Sequence, residues 1–242
     1  MIDVLTPDKD PLGQALLAYM EGKTDALIEV YPDVGEQDVI PVRYLMRAPA
    51  KWPELERRAV AACRGRVLDI GAGAGSHALA LQQQARDVTA LDISPGAVEV
   101  MRRRGIGRVF LQNIWTFSGE TFDTLLLMMN GIGIAGDIEH LVPLLQYLKG
   151  LLRPGGQILL DSSDIAYLFR DMGTPLPDWV EYEDYYGLVE FYMRYEGVKG
   201  EAFTWLYIDY PLLEQIAGET GYQVEKVYED DHYHYLARLT MK

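Results

Sequence analysis

The sequence predicts an α/β fold in three layers: a seven-stranded, mostly parallel sheet with an antiparallel last strand, covered by helices on both faces. Three observations predict it. Short apolar runs alternate with helix-like stretches and end at Asp69, Asp92, Asn130 and Asp161, and such runs fit parallel strands buried on both faces. A glycine-rich turn joins the first run to its helix. The chain closes on a helix and two alternating segments around Glu229-Asp230-Asp231, a turn short enough to force an antiparallel hairpin.

The first element, Val67 to Leu79, reads VLDIGAGAGSHAL. It is a strand, a tight turn through Gly71, Gly73 and Gly75, and a helix start near Ser76. Glycine permits positive φ and the close approach of a ligand, while the first N–H groups of the helix stay free to meet it. A nucleotide-like cofactor is expected there. A dinucleotide fingerprint needs its third glycine three residues after the second, where this chain has Ser76. Asp69 would gain nothing from a pyrophosphate, but its charge suits a ligand with an ammonium and a sulfonium.

The second strand, Asp87 to Asp92, places the Asp92 carboxylate to accept both hydroxyls of a ribose. Ser94 caps the next helix, Pro95 opens it, Arg102, Arg103 and Arg104 complement its negative end, and Gly105 stops it. The arginines read as a solvated face rather than a nucleic-acid patch. Arg108 to Leu111 is the third strand and leads into Gln112, Asn113, Ile114 and Trp115; the tryptophan suits either a base or the core. Thr124 to Met129 is the fourth, and ligands of open parallel sheets bind outside such carboxyl ends, so Met129, Asn130 and Gly131 belong at the site. Asn130 reads equally well as a turn residue that tolerates unusual φ. An amphipathic helix over Ile138 to Leu152 stops at Arg153-Pro154-Gly155-Gly156, and Gln157 to Leu160 is the fifth strand. Pro211 to Gly221 reads as the last helix, with Tyr222 to Tyr228 and His232 to Leu239 as strands six and seven.

In this order the segments resemble the class I S-adenosylmethionine-dependent methyltransferases, motif by motif over Arg64 to Asp161 and in element order over Pro211 to Leu239. The resemblance implies a Rossmann-like sheet, the cofactor S-adenosyl-L-methionine (SAM) and the product S-adenosyl-L-homocysteine (SAH). It assigns cofactor contacts to Asp69, Gly71, Ala72, Gly73, Ser76, Asp92, Ile93, Asn113, Ile114, Met129, Asn130 and Gly131. Tyr44 and Arg47 match, by type and place, residues that fold over the methionine end of the cofactor. Asn113 departs from the family, which usually has an acid there; its amide oxygen still accepts from an adenine amino group, without charge assistance. Such enzymes often need no dedicated base, and the candidates here are Asn130, Asp161 and His77, with Ser162 and Asp164 nearby.

Two segments flank this core, taken as 63–163, and both are expected to shape the acceptor site. Residues 1–62 read as a helical cap, with one helix on Leu12, Ala15, Leu16, Tyr19 and Met20 and another beginning at Asp25 to Val30. The insertion 164–209 carries the aromatic and acidic stretch from Trp179 to Asp209, including Tyr182, Glu181, Glu183 and Asp184. Leu188 to Glu196 and Ala202 to Asp209 alternate as an added hairpin, whose aromatic residues suit either a cationic or aromatic acceptor or packing on a dimer partner. Residues 210–242 complete the sheet within one domain.

A net charge of −14 disfavours nucleic acid and anionic membranes as partners. No apolar stretch has the length of a membrane span, no secretory leader is recognisable, and the lone Cys63 reads as a small buried residue in a reducing, cytoplasmic setting. His232 and His234 stand two apart near Asp230 and Asp231, too few ligands for a metal site, and no metal is expected. The expected function is methyl transfer to a small-molecule acceptor by a protein that pairs with a second copy or acts alone. A non-catalytic SAM-binding regulatory module and a dinucleotide-binding oxidoreductase are the alternatives.

Overall fold

Residues 3–171 and 185–242 are described by the computed structural model, and Trp179, Glu181, Tyr182, Glu183 and Asp184 lie outside them. The helices are α1 (Pro11–Met20), α2 (Val42–Leu45), α3 (Glu54–Ala62), α4 (Ser76–Gln83), α5 (Pro95–Arg103), α6 (Ile138–Gly150), α7 (Ala166–Asp171) and α8 (Tyr210–Glu219). The strands are β1 (Leu27–Pro32), β2 (Asp38–Pro41), β3 (Arg66–Ile70), β4 (Asp87–Asp92), β5 (Val109–Leu111), β6 (Phe122–Leu127), β7 (Leu152–Ser163), β8 (Leu188–Tyr195), β9 (Val198–Lys199), β10 (Phe203–Leu206), β11 (Tyr222–Glu229) and β12 (His234–Met241).

The main sheet has seven strands in the order β11-β12-β7-β6-β3-β4-β5. β3 pairs in parallel with both β4 and β6, β4 with β5, and β6 with β7. β12 runs antiparallel to β7 and to β11, which is the expected reversal at the end of the sheet. The apolar runs are buried on both faces because each face carries its own helical layer. Val67, Val88, Leu126 and Leu159 pack with Leu55, Val60, Leu81 and Met101 of α3, α4 and α5. Leu68, Leu125 and Ile158 pack on the other side with Leu141, Leu144, Leu148 and Ile216 of α6 and α8. Strand alternation therefore turns Asp69 and Asp161 toward the α3–α4 layer.

Two expectations are corrected. Residues 27–32 are not the second helix of a cap: β1 pairs antiparallel with β2 and with β8. β-branched and aromatic side chains favour this, and the alternation buries Ile28 and Val30. Stacking of Tyr31 on Tyr192, centroids 4.6 Å apart, ties the N-terminal strand to the insertion. The added hairpin of β8 and β10 is thus part of a second sheet, in the order β10-β8-β1-β2 with β9 beside β8. His232 is also corrected, because it lies in the turn before β12, while His234 is exposed and its Nδ1 is 3.2 Å from Asp230.

Candidate functional site

Strand order reverses around β3, whose neighbours β4 and β6 are followed in opposite directions, and that reversal opens a crevice at the carboxyl ends of the strands. The second sheet covers it. Between the two lies a cavity of about 360 Å³ whose floor is Ile70, Gly71, Gly73, Asp92, Ile93, Gln112 and Ile114, and whose upper wall includes Val30, Ile40, Phe191, Met193, Phe203, Trp205 and Tyr207. An adjoining cavity shares Ile93, Ile134, Phe203 and Trp205 and includes Asn113 and Trp115.

The glycine turn divides its residues between two tasks. Gly71, Gly73 and Gly75 all have positive φ, at 69°, 53° and 72°. A Cβ added at Gly71 or Gly73 would meet no atom within 4 Å, whereas at Gly75 it would stand 2.4 Å from Ile106 Cδ1. The first two glycines therefore present bare backbone to the cavity, and the third lets α4 pack on the core. Asp92 holds the turn in place: its Oδ2 accepts from Gly73 N at 2.7 Å and its Oδ1 from Ser94 N at 2.9 Å. Burial raises its pKa, so the carboxylate gains from any further donor brought by a ligand.

Of the other sequence candidates, Ile93, Ile114 and Met129 also line the main cavity. Asn113 lines the adjoining one, and its side chain accepts from Trp115 N at 2.9 Å. Ala72 is tied to Leu91 by its backbone N–H. Ser76 does not face the cavity; its Oγ donates to the Leu45 carbonyl at 2.6 Å, which pins α2 over the start of α4. Arg104 is not part of a solvated face, because its guanidinium donates to the Ala74 carbonyl and to Ser76 Oγ. It clamps the end of the glycine turn.

Tyr44 and Arg47 are off the cavity wall. Tyr44 is exposed, with the Arg47 guanidinium 3.6 Å from its ring centroid. Arg47 is buried and pairs with Glu56, which also meets His77 Nε2 at 2.8 Å. This Arg47–Glu56–His77 group lies behind the glycine turn beside Asp69, whose Oδ2 is buried with no hydrogen-bond partner among the described residues. Burial raises the pKa of Asp69 to about 6, opposed by the nearby His77. An orphaned carboxylate oxygen under a glycine cradle fits a ligand that carries an ammonium group.

Met129 and Asn130 both adopt left-handed backbone, with φ of 66° and 56°, a costly geometry for residues with a Cβ. The surroundings enforce it. Asn130 Oδ1 accepts from Ser163 Oγ at 2.7 Å, its carbonyl accepts from Trp205 Nε1 at 2.9 Å, and Asp161 Oδ1 accepts from Gly131 N at 3.2 Å. Asp161 is otherwise enclosed, and burial lifts its pKa to about 6. Ser162 accepts from Ile208 N and Asp164 from Tyr186. Neither Asn130, Asp161, His77, Ser162 nor Asp164 lines the main cavity. What the arrangement offers chemically is a glycine cradle, a buried carboxylate at Asp92 with capacity for a further donor, and an apolar wall facing them.

Sequence reasoning missed several residues. Buried Asp10 accepts from Gly13 N, Ser94 Oγ and Gly96 N, so one carboxylate caps both α1 and α5 at the cavity rim. An acid just before Pro11 is a recognisable cap signal for α1, but its reach to α5 is not visible in the sequence. Glu56 lies on an otherwise charged helix and gives no signal of its burial.

The profile described as a methyltransferase domain matches residues 67–156, the stretch from β3 to the start of β7. Among curated proteins, the chain is 28% identical over 115 residues to cypemycin N-terminal methyltransferase of Streptomyces sp, covering 44% of this chain and 45% of that one. It is 32% identical over 116 residues to demethylmenaquinone methyltransferase of Clavibacter sepedonicus, covering 45% and 46%. The chain thus spans about half the length of these curated relatives. Among solved structures, the amino pentose methyltransferase CalS10 of Micromonospora echinaspora superposes with a TM-score of 0.53 at 16% identity, over 78% of this chain and 89% of that one, a likeness of fold alone. A SAM-dependent methyltransferase from Bacteroides fragilis, crystallised with SAH, superposes with a TM-score of 0.90 at 42% identity, over 98% of this chain and 97% of that one. With that likeness end to end, and with the glycine turn, the strand order and the reversed last strand all in place, the chain belongs to the SAM-dependent methyltransferases.

Proposed function

We propose that this protein binds SAM and transfers its methyl group to a small-molecule acceptor, releasing SAH. The observation that carries this reading is the pair Gly71 and Gly73, left-handed and facing open space, with Asp92 and Ile93 beside them at the carboxyl edge of the sheet. When bound, SAM supplies an electrophilic methyl on a positively charged sulfur. The turn backbone at Gly71 and Gly73 holds the methionine portion, and Asp69 beneath it balances the ammonium. Asp92 accepts from the ribose hydroxyls, Ile93 and Ile114 flank the base, and Asn113 meets its amino edge. The upper wall keeps water away and aligns the acceptor.

Transfer breaks the carbon–sulfur bond as the bond from the acceptor's nucleophilic atom to carbon forms. The electron pair stays on sulfur as a neutral thioether, and a proton lost by the acceptor passes to solvent. Alignment and exclusion of water supply the rate, and none of the base candidates Asn130, Asp161 and His77 lines the main cavity. A reducing, cytoplasmic setting fits the single cysteine, Cys63, which is buried and unpaired.

Calorimetry with SAH and NAD tests the cofactor, with heat from SAH alone as the expected result. Transfer of label from methyl-labelled SAM to any component of a cell extract tests the reaction. Tight NAD binding without SAH binding would overturn the reading; SAH binding with no transfer would favour a regulatory module.

A further inference from the structure

The two sides of the main cavity differ in chemistry. Its floor has the polar backbone of the glycine turn and the Asp92 carboxylate, while the facing wall of β1, β2, β8 and β10 is apolar and aromatic. Apart from the Tyr207 hydroxyl, the charged and hydrogen-bonding side chains of the lining each have at least one partner within the chain. Lys9 and Glu201 pair with each other at 2.6 Å at the exposed mouth. Asp10 accepts three hydrogen bonds from the chain. Gln112 donates to the Thr116 carbonyl at 2.8 Å, and Trp205 Nε1 to the Asn130 carbonyl at 2.9 Å.

A phosphate or carboxylate on the acceptor would therefore lose its hydration against this wall without finding an unengaged cation among the described residues, and an ammonium there would meet ring faces alone, with Asp92 across the cavity on the floor; an uncharged ring avoids the loss. The aromatic members reinforce one another: Phe191 lies 6.1 Å from Phe203, and Phe203 meets Trp205 edge to face at 5.9 Å. Such a cluster offers both faces and edges to a flat ring. Tyr207, 6.2 Å from Phe191, has a hydroxyl with no hydrogen bond among the described residues and so is available to a polar atom on the acceptor.

Resting on the methyl-transfer reading, we infer that the acceptor is an uncharged, flat aromatic molecule, held by Phe191, Met193, Phe203 and Trp205 against the cofactor. The distinction is from a wall that merely covers the cofactor, and from a site for phosphorylated, acidic or cationic acceptors.

The test titrates the SAH-saturated full chain with three probes of similar size: 1-naphthol, 1-naphthyl phosphate and 1-naphthylmethylammonium. Binding of 1-naphthol at least tenfold tighter than either charged probe is expected. Phe191→Ala should weaken naphthol at least tenfold and leave SAH affinity within about twofold. Should that variant not fold, Phe191→Leu keeps most of the volume without the ring and should weaken naphthol about threefold. Absence of naphthol binding to the SAH-saturated protein, or a charged probe bound as tightly, would overturn the acceptor class while SAH binding stands. Failure of the unaltered chain to bind SAH would overturn the methyl-transfer reading and this inference with it.

Discussion

Replacing Gly73 and Gly75 separately by alanine should separate the two tasks of the glycine turn. Both residues are left-handed, with φ of 53° and 72°, so both alanines carry the same backbone cost of about 1–2 kcal/mol. Their surroundings differ. At Gly73 the new Cβ enters open space, whereas at Gly75 it stands 2.4 Å from Ile106 Cδ1 and 2.7 Å from Met101 Cγ. Both neighbours are buried, Met101 in α5 and Ile106 just after it, and overpacking of that kind costs about 1–3 kcal/mol more. Gly73→Ala should therefore lose about 1–2 kcal/mol and Gly75→Ala about 2–5 kcal/mol. At roughly 2–4 °C per kcal/mol for a chain of this size, these are drops of about 2–8 °C and about 4–20 °C in Tm. Binding should rank the other way. The Gly73 methyl occupies the cradle and should cost SAH at least about tenfold, or ~1.4 kcal/mol, while folded Gly75→Ala keeps most of its affinity. Thermal unfolding and calorimetry on the same preparations read both quantities. The reasoning is refuted if Gly73→Ala is the less stable of the two, or if it binds SAH like the parent.

Asp69→Asn tests a pH dependence. The native carboxyl, raised to about 6 from 3.8 by burial, holds a proton between those values that the unfolded chain has released, so its contribution to stability falls as pH rises from about 4 to 6. The variant should gain on the parent by on the order of 2 kcal/mol at pH 8 compared with pH 4.5; urea titrations giving the same difference at both pH values would sink the assignment. Arg47→Met strips the buried Glu56 of its guanidinium and should destabilise by about 3–5 kcal/mol. Adding Glu56→Gln should recover part of that loss, and strict additivity in denaturant unfolding would count against a coupled pair. Asp92→Ala removes the acceptor of Gly73 N and Ser94 N, at about 1.5–3 kcal/mol per charge-assisted bond, and should weaken SAH more than its 2′-deoxyribose analogue. A coupling near zero between the substitution and the missing hydroxyl, measured calorimetrically, would show that Asp92 does not hold the ribose.

The parallel core and the place of the cofactor cradle were legible in the sequence because their determinants are local. A run such as Thr124 to Met129, apolar at every position but the first, is a buried strand wherever it lies, and glycines at 71, 73 and 75 shape a turn through their own φ. Short turns of charged or glycine residues fixed the direction of the last strand. What the sequence left open depended on partners far along the chain. Over six residues, 27–32 satisfy a helix and a strand about equally; pairing with β8, some 160 residues on, decides for the strand by supplying its hydrogen bonds. The same pairing builds the apolar wall over the cavity. Tertiary packing also turned Arg47 inward to Glu56 and His77, gave Asp10 two helices to cap and drew Arg104 from solvent to the glycine turn. Charge in a sequence marks a residue as costly to bury, but only the folded chain shows where the compensating partner stands.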